Sequence, residues 1–188
     1  METDFWHCQP KSERWWEPES DFYLLDPGQN EPARTELTAG HSNADARFVH
    51  NGRRTASFRF LPLDHNESIR SLLLARRIPL DGRKWCEGVF HSRGRSRLVF
   101  VELKNRKRSR IGIPIAQVES VLRFLADHAP AILRRAKWKR AIVSNRRNGL
   151  AYVANARNDH RMKTFRSRAA AFHAKWGVKL EIGRDIVL

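Results

Sequence analysis

Charged residues stand where two apolar strands are expected. Trp85-Cys86-Glu87-Gly88-Val89-Phe90 carries Glu87, and Leu98-Val99-Phe100-Val101-Glu102-Leu103-Lys104 carries Glu102 with Lys104 two positions on. Burying a charge is costly unless it is paired or coordinates a metal. Side chains alternate along a strand, so Glu102, Lys104 and Phe100 share one face. Val99, Val101 and Leu103 share the other and can bury against a helix. If the two runs pair as a hairpin, Glu87 comes beside Glu102. Two neighbouring carboxylates repel, and a divalent cation resolves the repulsion. Mg²⁺ prefers oxygen ligands, usually one or two carboxylates together with several waters. Such an ion polarises a phosphoryl oxygen and acidifies a bound water. Lys104 can then orient the attacking water or neutralise charge developing on the phosphate. These residue types in this pattern point to metal-assisted phosphodiester hydrolysis.

The elements that must position them are legible on both sides. Asn66 can cap a helix in which Ile69, Leu72, Leu73 and Ile78 fall near helical spacing. Pro79-Leu80-Asp81-Gly82 reads as a turn. The polar, glycine-containing stretch "HSRGRSR" (91–97) suits a hairpin loop between the two strands. Pro114 fits the first turn of a helix whose apolar face is Ile115, Val118, Val121, Leu122 and Leu125, running towards His128. A strand over 140–145, a helix over 160–176 stopped by Gly177, and one or two last strands follow. Upstream, the run 46–63 alternates loosely and predicts one or two short strands. From Asn66 the order is helix, two strands, helix, strand, helix, strand: an α/β domain with a mixed sheet.

The chain has 188 residues and a formal charge of +16. Residues 1–45 hold ten acids and three bases, a formal −7, which leaves +23 on residues 46–188. That predicts two regions: an acidic, largely irregular N-terminal extension over 1–45, and a basic domain over 46–188. Aromatics at Trp15, Trp16, Phe22 and Tyr23 suggest a short ordered piece within the extension, packed on the chain's own domain. Basic fields of this size attract polyanions, nucleic acid above all. An extension of opposite sign is expected to fold back over the basic cleft and compete with phosphates there. No apolar run approaches the roughly 20 residues of a membrane span. Two cysteines, Cys8 and Cys86, make neither a disulfide framework nor a zinc site. The expectation is a cytoplasmic protein that does not bind membranes.

Glu87, followed fifteen residues later by Glu102-Leu103-Lys104 at the end of an apolar strand, resembles the PD-(D/E)XK nuclease superfamily. The resemblance covers about residues 66 to 145. It implies a restriction-endonuclease-like core, a central mixed β-sheet flanked by helices. It also implies that Glu87, Glu102 and the Leu103 carbonyl hold Mg²⁺ or Mn²⁺ and that Lys104 is the catalytic lysine. Many members, phage-associated and junction-resolving nucleases among them, carry a glutamine on the next helix, and Gln117 stands where it is expected. The first acid of the family is usually aspartate, often after proline; here it is Glu87 after Cys86, one methylene longer.

Basic residues are expected to flank the proposed centre on both sides: Arg93, Arg95 and Arg97 in the hairpin, and Arg106, Lys107, Arg108 and Arg110 after Lys104. They are the expected phosphate contacts. Glu67, at the start of its helix, is where some relatives place a further acidic ligand, although the helix dipole alone accounts for an acid there. Glu119 reads as solvated, His91 and His128 as surface or packing residues, and Trp138 as packing at a strand start. With no helix-turn-helix or zinc module for base readout, specificity is expected for nucleic-acid structure or ends, or from a protein partner. The resemblance also allows a homodimer. The expected activity is an Mg²⁺-dependent nuclease acting on DNA. Its rivals are a non-catalytic nucleic-acid-binding module on the same fold and a basic interaction protein that docks on an acidic protein surface.

Overall fold

Asn66 sets the first long helix. Its side-chain oxygen accepts the backbone N–H groups of Ser68 (3.0 Å) and Ile69 (3.2 Å), and its amide donates to the carbonyls of Pro62 and Cys8. All its hydrogen-bonding groups are used inside the fold, the condition for burying an asparagine. The computed structural model describes residues 1–17, 20–27, 31–37, 44–49, 56–79, 84–104, 112–145, 160–183 and 185–187.

The elements run α1 (Glu2–His7), β1 (Trp15–Trp16), β2 (Phe22–Leu25), β3 (Arg34–Glu36), β4 (Ala44–Val49), β5 (Phe58–Pro62), α2 (Glu67–Ala75), β6 (Gly88–Ser92), β7 (Arg97–Lys104), α3 (Gly112–His128), α4 (Pro130–Arg135), β8 (Trp138–Asn145), α5 (His160–Trp176), β9 (Lys179–Ile182) and β10 (Asp185–Val187). The order expected from Asn66 onward is present, with α4 added. Residues 80–82 of the expected turn lie outside the described residues.

Six strands form a mixed central sheet in the order β1-β5-β6-β7-β8-β9. β1, β5, β6 and β7 pair antiparallel, whereas β7, β8 and β9 pair parallel. A second sheet has the order β10-β4-β2-β3. One face of the central sheet shares an apolar core with the helices: Leu61, Val89, Leu98, Phe100, Ala141 and Val143 meet Phe5 of α1, Ile69 of α2, Val118 and Leu122 of α3, Ile132 of α4 and Phe172 of α5. The opposite face, with Phe60, Phe90, Val99, Val101, Leu103 and Ile142, meets Phe22, Leu24 and Phe48 of the small sheet. The molecule is an α/β fold with a mixed sheet, helices on one side and a second sheet on the other.

Two expectations change here. Val99, Val101 and Leu103 do not bury against a helix; the small sheet covers them, and the helices cover the Phe100/Glu102 face. Both faces of β7 are apolar, so composition does not select the face. The crossover through α3 to the parallel strand β8 does. The described part of residues 1–45 is half irregular, yet it is built into both cores rather than appended to them. It supplies α1, β1, β2, β3 and the start of β4, and buries Phe5, Trp6, Trp16, Phe22 and Leu24. Rings stack there both between and within sheets: Trp16 of the central sheet on Phe22 of the small sheet at 4.4 Å, and Phe22 on its cross-strand neighbour Phe48 at 4.8 Å. Strands of two to four residues carry no readable periodicity; contacts distant in sequence order them.

Candidate functional site

β6 and β7 form an antiparallel ladder whose last pair is Gly88 with Val101. The next positions outward are Glu87 and Glu102, directly opposed. The β5 ladder fixes the Glu87 backbone one residue past the strand, since the Leu63 N–H donates to the Glu87 carbonyl at 2.9 Å. Gly88 makes this close approach feasible. A Cβ there would overlap the Phe60 ring and the Leu61 carbonyl oxygen.

Glu102 is 0 % exposed, beneath the helices and on the Leu98/Phe100 side of β7. Removing a carboxylate from water costs several kcal/mol, of order 5, even after relaxation. Glu87 is half-buried. Both carboxylates act on the Cys86 thiol. Burial pushes that thiol well above its usual value, and the negative charges of Glu102 and Glu87 push it further. Cys86 is therefore a protonated, inert thiol rather than a nucleophile.

α3 supplies the third group. Gln117 is 8 % exposed, and its side-chain amide donates to the Trp85 carbonyl at 3.0 Å. The helix that follows β7 thus holds the segment that leads into Glu87. Leu103 and Lys104 complete β7 opposite Ser144 and Asn145 of β8, at the carboxyl ends of two parallel strands. Open α/β sheets bind ligands at that end. Only the backbone of Lys104 is described, and Arg106, Lys107, Arg108 and Arg110 lie outside the described residues.

The hairpin arginines are elsewhere. β6 leads away from Glu87 and β7 returns, so the turn stands about 17 Å from Glu102 at ~3.3 Å per residue. Arg93 pairs with Glu17 at 3.4 Å and lies over Trp15. Arg95, at positive φ in the turn, lies over Trp6. The Arg97 N–H donates to the Ser92 hydroxyl at 3.2 Å. This end clasps the N-terminal segment and does not flank the carboxylates.

His91 belongs to the same clasp, 4.5 Å from Trp6 and 5.3 Å from Trp15 between ring centroids. Its Nδ1 faces the Ser92 carbonyl and its Nε2 the Gln9 side-chain oxygen, each at 3.2 Å. A neutral ring donates to only one of them. Burial lowers its pKa to about 4, opposed by the Ser92 bond and reinforced by Arg95 and Arg59. His128 packs against Phe124 with the rings tilted at 42°, at the far end of α3. Neither histidine approaches the carboxylates.

Glu67 is 79 % exposed and pairs with Arg70 at 3.1 Å. It rims a cleft of about 500 Å³ floored by Leu63, Ile69, Leu73 and Trp85. Glu119 is not solvated as expected: it bonds Lys175 and, at 3.3 Å, the Trp176 indole, tying α3 to α5. Those bonds to Lys175 and Trp176 lower its pKa against a smaller burial effect. Acids of the N-terminal region pair with arginines across the fold, Glu2 with Arg135, Asp4 with Arg76 (and with the N-terminal ammonium) and Asp21 with Arg47. Gln9, Trp6 and Trp15 around His91 were the contacts sequence reading missed, and no local pattern announces them.

A hard cation fits the donor set that these residues offer: two opposed carboxylates and a strand-end carbonyl, completed by water. Among the described residues there is no group of three or more His, Cys, Asp or Glu that could hold a metal ion. Also among them, no helix is long and apolar enough to cross a membrane. No family model, curated protein or solved structure matches the chain. What the site can do follows from its own residues.

Proposed function

We propose that the chain is a metal-dependent phosphodiesterase, a nuclease of the PD-(D/E)XK kind acting on DNA, with a restriction-endonuclease-like core. The observation that carries this is the opposed pair Glu87 and Glu102, on the helix-covered face, at the carboxyl end of a strand that ends in Lys104. The order α2, β6, β7, α3, β8 supports it, being the helix–strand–strand–helix–strand core that the resemblance implies.

In this reading Glu87, Glu102 and the Leu103 carbonyl hold Mg²⁺ or Mn²⁺. Bound there, the ion supplies Lewis acidity to a phosphoryl oxygen and a more acidic water. Glu102, fixed inside the fold, gives a rigid ligand. Glu87 is set by the Leu63 hydrogen bond and by the grip of Gln117 on Trp85. Lys104 is the residue for the attacking water or for charge on the phosphate.

The test is incubation of linear, circular, branched and single-stranded DNA with Mg²⁺, Mn²⁺ or EDTA. Wild type should cleave with metal and not with EDTA. Glu102→Gln and Lys104→Ala should each abolish cleavage while the far-ultraviolet circular dichroism stays that of wild type. Equal cleavage by either folded variant and by wild type would remove the assignment. One observation favours a non-catalytic nucleic-acid-binding module instead: the described acids come as a pair, not a cluster of three. DNA binding without cleavage under every metal condition would select that reading.

A further inference from the structure

We infer that the outward face of α5 is the track on which the nucleic-acid backbone lies, an assignment that rests on the phosphodiester reading and gives that site its phosphate contacts. α5 contains Arg161, Lys163, Arg166, Arg168 and Lys175 and no acid along its 17 residues. Phe165 and Phe172 lie in the helix-side core and define the buried direction. With 3.6 residues per turn, Arg166 and His173 fall on one flank of that direction and Arg168 and Lys175 on the other. Between the flanks Ser167, Ala170, Ala171 and Ala174 are exposed. A floor of small side chains with cations on both borders admits an extended polyanion close to the helix.

Several arginines elsewhere are committed to the chain's own acids, as Lys175 of α5 is to Glu119. Arg47, Arg76, Arg93 and Arg135 are each paired with an acid of the N-terminal region. Arg166 and Arg168 are exposed and make no ion pair among the described residues. The surface also adjoins α3, the helix that carries Gln117. Arg168, Phe172 and Lys175 line a cleft of about 290 Å³ with Ile115, Ala116 and Glu119 of α3. Next to Ala116 is Gln117, which holds Trp85 and so the approach to Glu87. α3 and α5 share one core on the Glu102 side of the sheet.

The chemistry of the face selects the partner. A protein interface is built around buried aromatic or large apolar anchors, and a membrane-surface helix needs a broad apolar face turned outward. The exposed strip of α5 offers serine and alanine between cations. That suits a phosphate backbone, which binds by charge and needs no apolar pocket.

The full chain is tested as wild type, Arg166→Ser/Arg168→Ser and Arg93→Ser, by anisotropy of a fluorescein-labelled DNA duplex in EDTA across a salt series. The α5 variant should bind about tenfold more weakly at 0.1 M salt, and its slope of log affinity against log salt should fall by about two. Arg93→Ser should bind as wild type does. An α5 variant with wild-type circular dichroism and unchanged affinity and slope overturns the assignment. So does loss of binding to phosphatidylserine vesicles with DNA binding intact. EDTA silences cleavage, so the two ideas fail separately. A chain that binds through α5 and never cleaves loses the reaction alone. A chain that cleaves with metal but binds equally well without Arg166 and Arg168 loses the track alone.

Discussion

The two ends of the β6–β7 hairpin handle charge in opposite ways. At the turn, Arg93 and Arg95 lie over the indoles of Trp15 and Trp6, and Arg93 also meets Glu17. At the open end Glu87 stands opposite Glu102, acid across from acid, next to an apolar core. The turn end spends its cations on fastening the first seventeen residues to the sheet. Its energetics are those of half-exposed pairs, about 0–1 kcal/mol each, with cation–π contacts adding a similar amount. The open end brings two carboxylates together, Glu102 fully buried and Glu87 half-buried, where neighbouring negative charges oppose each other. Carboxylates placed in this way are what the proposed metal site would use.

This contrast can be broken at either end. The largest effect is expected at the open end. Glu87→Gln should lower cleavage on the order of a thousandfold, as removal of a charge-stabilising group does, whereas Glu87→Asp should keep measurable activity. Full activity in Glu87→Gln would show that this carboxylate holds no cation. At the turn, the expected effect is on stability and depends on pH. His91 is 5 % exposed, and its folded pKa of about 4 lies below the unfolded value of 6.5. Between those values the unfolded chain binds the proton and the folded chain does not. His91 therefore adds a loss of about 3 kcal/mol as pH falls from 7.5 to 4. Denaturant titrations at both pH values should show that loss for wild type and a smaller one for His91→Phe. An equal loss in both proteins would mean that the ring donates from both nitrogens and is charged in the fold. The smallest change lies beside Glu87, at the last pair of the ladder. Gly88→Ala should destabilise by about 2 kcal/mol through the clash with Phe60 and Leu61. A neutral result would show that β5 can move away from Glu87.

Legibility followed the range of the interactions. Asn66, the apolar face of α3 and Gly177, which closes α5 at φ 63 with its N–H on His173, are local signals and mark their elements in the sequence. The register that opposes Glu87 to Glu102 was equally legible, because a hairpin leaves few alternatives. α4 escaped notice, since six residues behind Pro130 are too few to display a period. Nearness in sequence misled over Arg93, Arg95 and Arg97: a hairpin carries its loop to the far end of the sheet. Nor could net charge reveal the role of residues 1–45. Their acids read as a detachable cover, yet the aromatic residues among them fill both cores, so no truncation at residue 45 would leave the domain intact.

β10 closes the small sheet by pairing Asp185 with Arg47 and Val187 with Val49, parallel and 138 positions apart. During synthesis β4 can pair with β2 as soon as both leave the ribosome, but its other edge must wait for almost the whole of this sequence to emerge. An open strand edge is a template for wrong partners, and so distant a pairing forms slowly. The nascent chain therefore passes through an interval in which Phe22 and Phe48 have met while their sheet has a free border. Exposed edges of that kind in an incomplete chain are where strand mispairing competes with folding.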